Sequence, residues 1–248
     1  MAVGYNPSIV SDGLVYYLDP ANTRCYGGSG TSTNSLIGGI GATLYNGVGF
    51  TSSNNGSFVF DGSDDYVFHN ARTANTEFQY NSAFTIMSYC KVTENSNTGY
   101  IVTNRSTDGN GTIYSGWALL QNGGTIAGII GGYPGGNTVS WRWADASTTS
   151  FNDLVFNKWA HITYINTGIA GEQKIYINGV NYTSSAYDQT NPPYTINYTG
   201  THRICLGQDG FGYHYLNANI GQVQIYNRAL SQQEILQNFN ATRFRYGI

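Results

Sequence analysis

Apolar residues recur along this chain at every second position or in short runs, and each run is closed by Gly, Asn, Asp, Ser or Thr. A period of two puts alternate side chains on opposite faces of an extended backbone, so the pattern predicts many short strands joined by polar turns. Strands are predicted over 14–18, 57–60, 66–68, 84–92, 100–103, 117–120, 125–130, 159–165, 173–177, 203–206 and 220–226. In Lys174-Ile-Tyr-Ile-Asn-Gly-Val-Asn-Tyr182 the central Asn178-Gly179 supplies the positive-φ positions of a tight hairpin turn, flanked by aromatic and β-branched residues. Only the end of the chain reads as helix. There Ser231-Gln-Gln-Glu234 is a capping box, followed by Ile235, Leu236 and Phe239 at helical spacing. Strands without alternating helices predict an all-β sandwich or barrel rather than an α/β fold. No repeat or linker divides the chain, and 27–41 reads as a long loop. The expected organisation is an N-terminal arm over 1–11, one folded domain over 12–240 and a tail over 241–248.

Composition narrows the function classes. At 248 residues the chain is long enough to bury roughly 70 to 75% of its unfolded surface without staples, and 15% aromatic content argues against disorder. A net charge of −3, with lysine only at Lys91, Lys158 and Lys174, leaves no basic stripe for nucleic acid. No run reaches the ~18 apolar residues of a membrane span. The opening Met-Ala-Val-Gly-Tyr-Asn-Pro lacks the basic and apolar regions of a secretory signal, so none is expected. Cys25, Cys90 and Cys205 are odd in number and far apart, which predicts buried free thiols rather than a disulfide or metal framework. His69, His161, His202 and His214 have no spacing suited to a transition metal.

The succession Gly13-Leu-Val-Tyr-Tyr-Leu-Asp19, Ser57-Phe-Val-Phe-Asp-Gly-Ser-Asp-Asp-Tyr-Val67, Ala83-Phe-Thr-Ile86 and Trp159-Ala-His-Ile162 resembles the concanavalin A-like, laminin-G/pentraxin-type jelly roll. Ile175-Tyr-Ile-Asn-Gly179, Ile204-Cys-Leu-Gly207 and the segment from Ile220 to Ile235 continue the resemblance in order and spacing, over about 12–240. It implies two curved antiparallel sheets packed face to face, one short C-terminal helix, and a concave face with edge loops that bind carbohydrate or protein.

Glucan-hydrolysing relatives carry paired carboxylates on one strand, as a retaining glycosidase requires. Here Glu77, Glu94, Glu172 and Glu234 each stand apart from a second carboxylate at strand spacing, and no Gly-x-Ser-x-Gly elbow occurs, so no enzyme is expected. The pentraxin-like resemblance implies calcium (Ca2+) ligands at Asp64, Asp65, Gln208, Asp209 and Asn217, with one acid fewer than the relatives in the second loop. Ordinary Asx turns at Asp61-Gly62 and Asp209-Gly210 are the alternative reading of the same residues. Tyr213, His214 and Tyr215 lie in that second loop and can stack on a sugar ring, and Trp141 and Trp143 share one face of a strand whose other face takes Arg142. Packing against core or interface is the alternative for both tryptophans.

At the ends, Tyr5 in the arm and Arg243, Phe244, Arg245 and Tyr246 in the tail are residue types favoured at interfaces, and docking on a neighbour competes with packing back on the domain. The opening and closing segments resemble those of phage structural proteins. The expectation is a non-enzymatic protein of a bacteriophage virion surface, a decoration protein or fibre component on capsid or tail, with other virion proteins, further copies of itself and host glycans as partners. The alternative is a free calcium-dependent carbohydrate-binding lectin.

Overall fold

Alternating side chains resolve into two antiparallel sheets lying face to face. A computed structural model of the chain describes residues 7–93, 96–107, 114–132, 140–189, 195–198 and 201–248. The first third holds β1 (Leu14–Leu18), β2 (Ser32–Asn34), β3 (Gly41–Tyr45), β4 (Gly49–Thr51), β5 (Ser57–Asp61) and β6 (Tyr66–His69). The middle holds β7 (Phe84–Val92), β8 (Thr98–Thr103), β9 (Ser106–Thr107), β10 (Tyr114–Asn122), β11 (Ile126–Gly132), β12 (Ser140–Ala146) and helix α1 (Thr148–Leu154). The last third holds β13 (Trp159–Asn166), β14 (Lys174–Ile177), β15 (Val180–Asn181), β16 (Thr183–Gln189), β17 (Cys205–Leu206), β18 (Asn217–Tyr226) and helix α2 (Gln232–Thr242), closed by a 3-10 turn, Arg243–Tyr246.

One sheet has eight strands in the order β15-β14-β13-β7-β18-β5-β4, with β1 also paired to β18. The other has ten, in the order β16-β12-β11-β10-β8-β17-β6-β3-β2, with β9 paired to β10. Inward positions of both sheets form the main core, in which Trp117, Tyr164, Phe58, Phe60 and Phe84 are fully buried. Phe84 stacks on Phe78 at 4.4 Å and meets Tyr164 edge-on at 5.7 Å, geometries that suit the ring quadrupoles. The Tyr164 ring of one sheet lies on bare backbone of the other at Gly128.

The outer face of the eight-stranded sheet is covered. Met87, Ile165, Tyr176 and Tyr226 meet Val10, Leu230 and Ile235, so the N-terminal segment and α2 share one satellite core. The Asn238 side chain accepts the Val10 N–H at 2.8 Å, and the Tyr226 hydroxyl donates to the Val10 carbonyl at 2.9 Å. The capping box forms as the sequence predicts, with Glu234 also gripping Arg228. So does the hairpin: Asn178 and Gly179 have φ of 52° and 81°, and Ile177 pairs with Val180. All three cysteines are buried and free, and burial pushes the Cys90 thiol up to about 12.

Three expectations are corrected. The segment 27–41 is not one loop, because β2 pairs with β3 through Thr33 and Ala42. Helix α1 was not predicted; Ser147 caps it by accepting the Ser150 N–H, but its two threonines and single buried Phe151 give no helical period. The tail over 241–248 is not separate either, since Ala241 and Thr242 complete α2 and the rest turns back on the sandwich.

That return also corrects the docking expectation for two residues. Arg245 forks onto both carboxylate oxygens of Asp19 at 2.9 and 3.1 Å. Tyr246 is buried, stacked on Tyr89 at 4.3 Å and lying over Gly221, where a Cβ would sit 2.5 Å from its hydroxyl. A buried guanidinium needs a carboxylate and a large apolar ring needs cover, and this domain supplies both. Arg243 and Phe244 stay exposed, and Tyr5 lies outside the described residues.

Candidate functional site

Among the described residues no helix lies over the outer face of the ten-stranded sheet, and its middle strands put apolar side chains there. Along β10, Trp117 and Leu119 point inward, while Ala118 and Leu120 point outward. Along β11, Ile126 and Ile130 face the core and Ala127 and Ile129 face out. On β12 the two indoles of Trp141 and Trp143 lie outward, as the period of two predicts. Arg142 goes inward, donating to Asp188, Tyr80 and Gly168. Tyr187 on β16 stands opposite Trp143, with the two rings 6.4 Å apart and nearly parallel at 19°.

Tyr100 joins this face through a β-bulge. The pairing of β8 with β10 slips between Leu119 and Leu120, so Ile101 and Val102 both reach the core and Tyr100 turns outward beside Leu120. The result is a pocket of about 330 Å³, within the size range of small-ligand sites. Leu120 and Ile129 form its floor, and Tyr100, Trp141, Trp143 and Tyr187 form its aromatic walls. Thr98, Asn122, Arg105 and His214 supply its polar groups. A second hollow of about 500 Å³ adjoins it, shares Thr98 and His214, and adds Ser96, Asn97, Gly62 and Tyr215.

Arg105 is seated by its backbone. A Cβ on Gly210 would lie 2.3 Å from the Arg105 carbonyl oxygen, and one on Gly116 would lie 3.0 Å from its Cα. Both glycines have positive φ, so glycine is required there on two counts. The Arg105 head lies over Trp141 at 4.9 Å, Tyr100 at 5.5 Å and Phe211 at 5.6 Å, and its Nη1 donates to the Tyr100 hydroxyl. These are cation–π distances.

The loop carrying His214 is organised by one carboxylate. Asp209 Oδ1 accepts the N–H groups of Phe211 and Tyr213 at 2.8 and 3.1 Å, and Oδ2 lies 2.8 Å from His214 Nδ1. Gln208 Oε1 accepts the Gly212 N–H at 2.6 Å. Asp209 is buried, yet every contact it makes lowers the cost of that burial. This is the Asx-turn use of these side chains, elaborated into a loop staple.

Of the five predicted sugar-contacting residues, Trp141, Trp143 and His214 therefore line one pocket and Tyr215 lines the adjoining hollow. Tyr213 sits on the loop at 65% exposure, outside both linings. Among the predicted metal ligands, Asp64 and Asp65 join Asp61 in a turn whose carboxylates lie within 4.8 Å of one another. Asn217 stands opposite Asp61 in the sheet and accepts the Thr93 hydroxyl at 2.5 Å. Asp65 accepts the Asp61 N–H, and burial raises its pKa. Gln208 and Asp209 are outside that carboxylate group, and their oxygens already close their own loop.

Sequence reasoning missed Tyr100, Arg105 and Tyr187. The bulge hides the first from any period of two, and the second depends on a loop packing across two glycines. The third had a readable signal, an aromatic in an alternating Thr/Ser/Ala/Tyr run of the kind that pairs across strands.

Among the described residues, no Asp or Glu lines the pocket. Among the glutamates of the described residues, Glu77 pairs with Arg72 and Glu234 with Arg228, while Glu172 is exposed on a turn.

Residues 61–236 match a laminin-G model of the concanavalin A-like lectin/glucanases superfamily. No curated protein matches the chain in sequence. Among solved structures, the binding domain of Paraclostridial mosquitocidal protein 1 is similar with a TM-score of 0.65 at 19% identity, over 92% of this chain and 52% of that one. The serotype G botulinum neurotoxin binding domain is similar with a TM-score of 0.64 at 17% identity, over 91% and 50%. The serotype D ligand-binding domain, solved in complex with N-acetylneuraminic acid, has a TM-score of 0.63 at 17% identity, over 92% and 50%. This chain thus spans about half the length of the structures it matches. At these identities the likeness is one of fold.

Proposed function

The chain belongs to the concanavalin A-like lectin/glucanase superfamily, and from that premise we propose that it is a non-catalytic saccharide-binding module whose combining site is the aromatic pocket on the open face of the ten-stranded sheet. The observation that carries this reading is the near-parallel pair Trp143 and Tyr187 above an apolar floor, with Thr98, Asn122 and His214 at the rim. Pyranose rings present C–H faces that pack on indole and phenol, and hydroxyl edges that bond to convergent polar groups. Among the described residues the lining has no carboxylate to serve as acid or nucleophile in glycosidic cleavage.

The test is a glycan array, run with and without chelator, followed by calorimetry on the hits. Trp143→Ala is expected to weaken binding about tenfold or more, by analogy with other stacked aromatic anchors. An array blank under both conditions refutes the reading. Binding that disappears with chelator would bring calcium into it, with Asp64, Asp65, Gln208, Asp209 and Asn217 as the ligand set to mutate.

The resemblance of the chain's ends to phage structural proteins supports a place on a virion surface, with host glycans as the ligand. Recovery of the protein in stoichiometric amounts from purified particles tests that placement, and its absence from them refutes it.

A further inference from the structure

Among the described residues, Arg105 is the one arginine that lines the pocket. Of the eight arginines, Arg72, Arg142, Arg228 and Arg245 are each paired with a carboxylate. Arg24 and Arg243 are exposed, and Arg203 covers the Phe68 ring. Arg105 alone is half-buried in a ligand-sized pocket, and among the described residues no carboxylate lies within ion-pair distance of it. Its Nε is buried without a hydrogen-bond partner among those residues, and the Tyr100 hydroxyl is its side chain's one acceptor there.

Among the described residues, the carboxylates near the pocket are already committed. Asp209 is held by two N–H groups and His214. Asp145, at the far side of Trp143, accepts from the Trp143 indole and from Ser184 and Ser185. A guanidinium clamped between rings and seated against Gly116 and Gly210 is preorganised, so little entropy is lost when it binds. Its planar fork matches a carboxylate in two-point contact. Trp141, beneath it, and Trp143 are two residues apart on one strand face, roughly 7 Å, which one pyranose ring spans.

We propose that the pocket selects saccharides bearing a carboxylate, a uronic or a sialic acid, with the carboxylate on Arg105 and the ring over the Trp143 and Tyr187 side. This rests on the combining-site reading above and adds the ligand class to it.

The experiment is calorimetric titration with two matched pairs: sialyllactose against lactose, and a glucuronate-containing disaccharide against its glucose counterpart. The wild-type protein is expected to prefer the acid of at least one pair by about 10- to 100-fold, the size of one charge-assisted contact; which pair shows it identifies the acid. Arg105→Gln should close the gap between that acid and its neutral partner, and Arg105→Lys should recover part of the preference. The methyl ester of the preferred acid, titrated on the wild-type protein, removes the charge without touching the fold and should bind like the neutral sugar. Equal affinities within both pairs, or an equal loss for acid and neutral in Arg105→Gln, overturn the proposal while neutral binding keeps the combining site. Failure of all four ligands on a protein whose array is blank removes the combining-site reading, and this one with it.

Discussion

Gly128 is where a single methyl group would test the packing of the whole sandwich. It lies in β11 with ordinary extended backbone, so the substitution to alanine is a question of space alone. A Cβ there would sit 2.1 Å from two ring carbons of Tyr164 and 2.6 Å from a third. Ordinary contact begins at 3.4 Å, so the gap must open by more than an ångström. Tyr164 is fully buried and braced by Phe84, which leaves the ring nowhere to swing. Overpacking of this kind costs about 1–3 kcal/mol or more, against the roughly 0.5–1 kcal/mol that alanine regains over glycine in a strand. We expect Gly128→Ala to lose about 2 kcal/mol, which lowers Tm by roughly 4–8 °C for a domain of this size. Gly27→Ala is the control, because nothing lies within 4 Å of its Cβ. Ala127 and Ile129 point from the same strand into the outer cluster, so saccharide affinity should fall together with stability. Calorimetric unfolding of both variants decides the matter. A Gly128→Ala protein within about 0.5 kcal/mol of the control, the scatter of inert surface changes, refutes the packing argument.

Two further outcomes follow from buried polar groups. Burial lowers the pKa of His69 to about 4 and of His161 to about 3, below the ordinary 6.5, so the unfolded chain takes up protons first as pH falls. Each histidine contributes stability that is fully present above pH 6.5 and declines below it, by up to about 1.4 kcal/mol per pH unit; His161→Phe should make stability fall less steeply between pH 6.5 and 5 in denaturant unfolding, and an unchanged slope refutes this. Arg245→Ala strands Asp19, which is 7% exposed, and should cost about 3 kcal/mol, while Phe244→Ala, at 61% exposure, should stay within about 0.5 kcal/mol; equal effects of the two in chemical denaturation would show the tail to be loosely held.

Much of the sandwich was legible because its signals are local. The hairpin at Asn178-Gly179 and the cap at Ser231 depend on two to four neighbouring residues, and both form as written. The outward pair Trp141 and Trp143 was legible for the same reason, since a strand's period of two needs no partner. What could not be read depends on pairing between distant segments. The short β2 contributes only three residues and owes its state to β3. Tyr100 faces the pocket because of a one-residue slip against β10, a property of two strands together. The tail shows the same limit from the other side. Arg245 and Tyr246 look like interface residues in isolation, and only the positions of Asp19, Tyr89 and Gly221 reveal that their partners are in the same chain.

The hydrogen bonds that join Val10 to Asn238 and Tyr226 have a geometric consequence for presentation. They hold the entry to the first strand and the last helix together on the covered face of the eight-stranded sheet, while the aromatic pocket opens on the opposite side of the molecule. A tether leaving from Val10 or from the end of α2 therefore leaves the pocket pointing away from whatever holds it. Copies anchored side by side on a common support would show their pockets in one direction, and weak single-site contacts would then sum into avidity set by the spacing of the anchors.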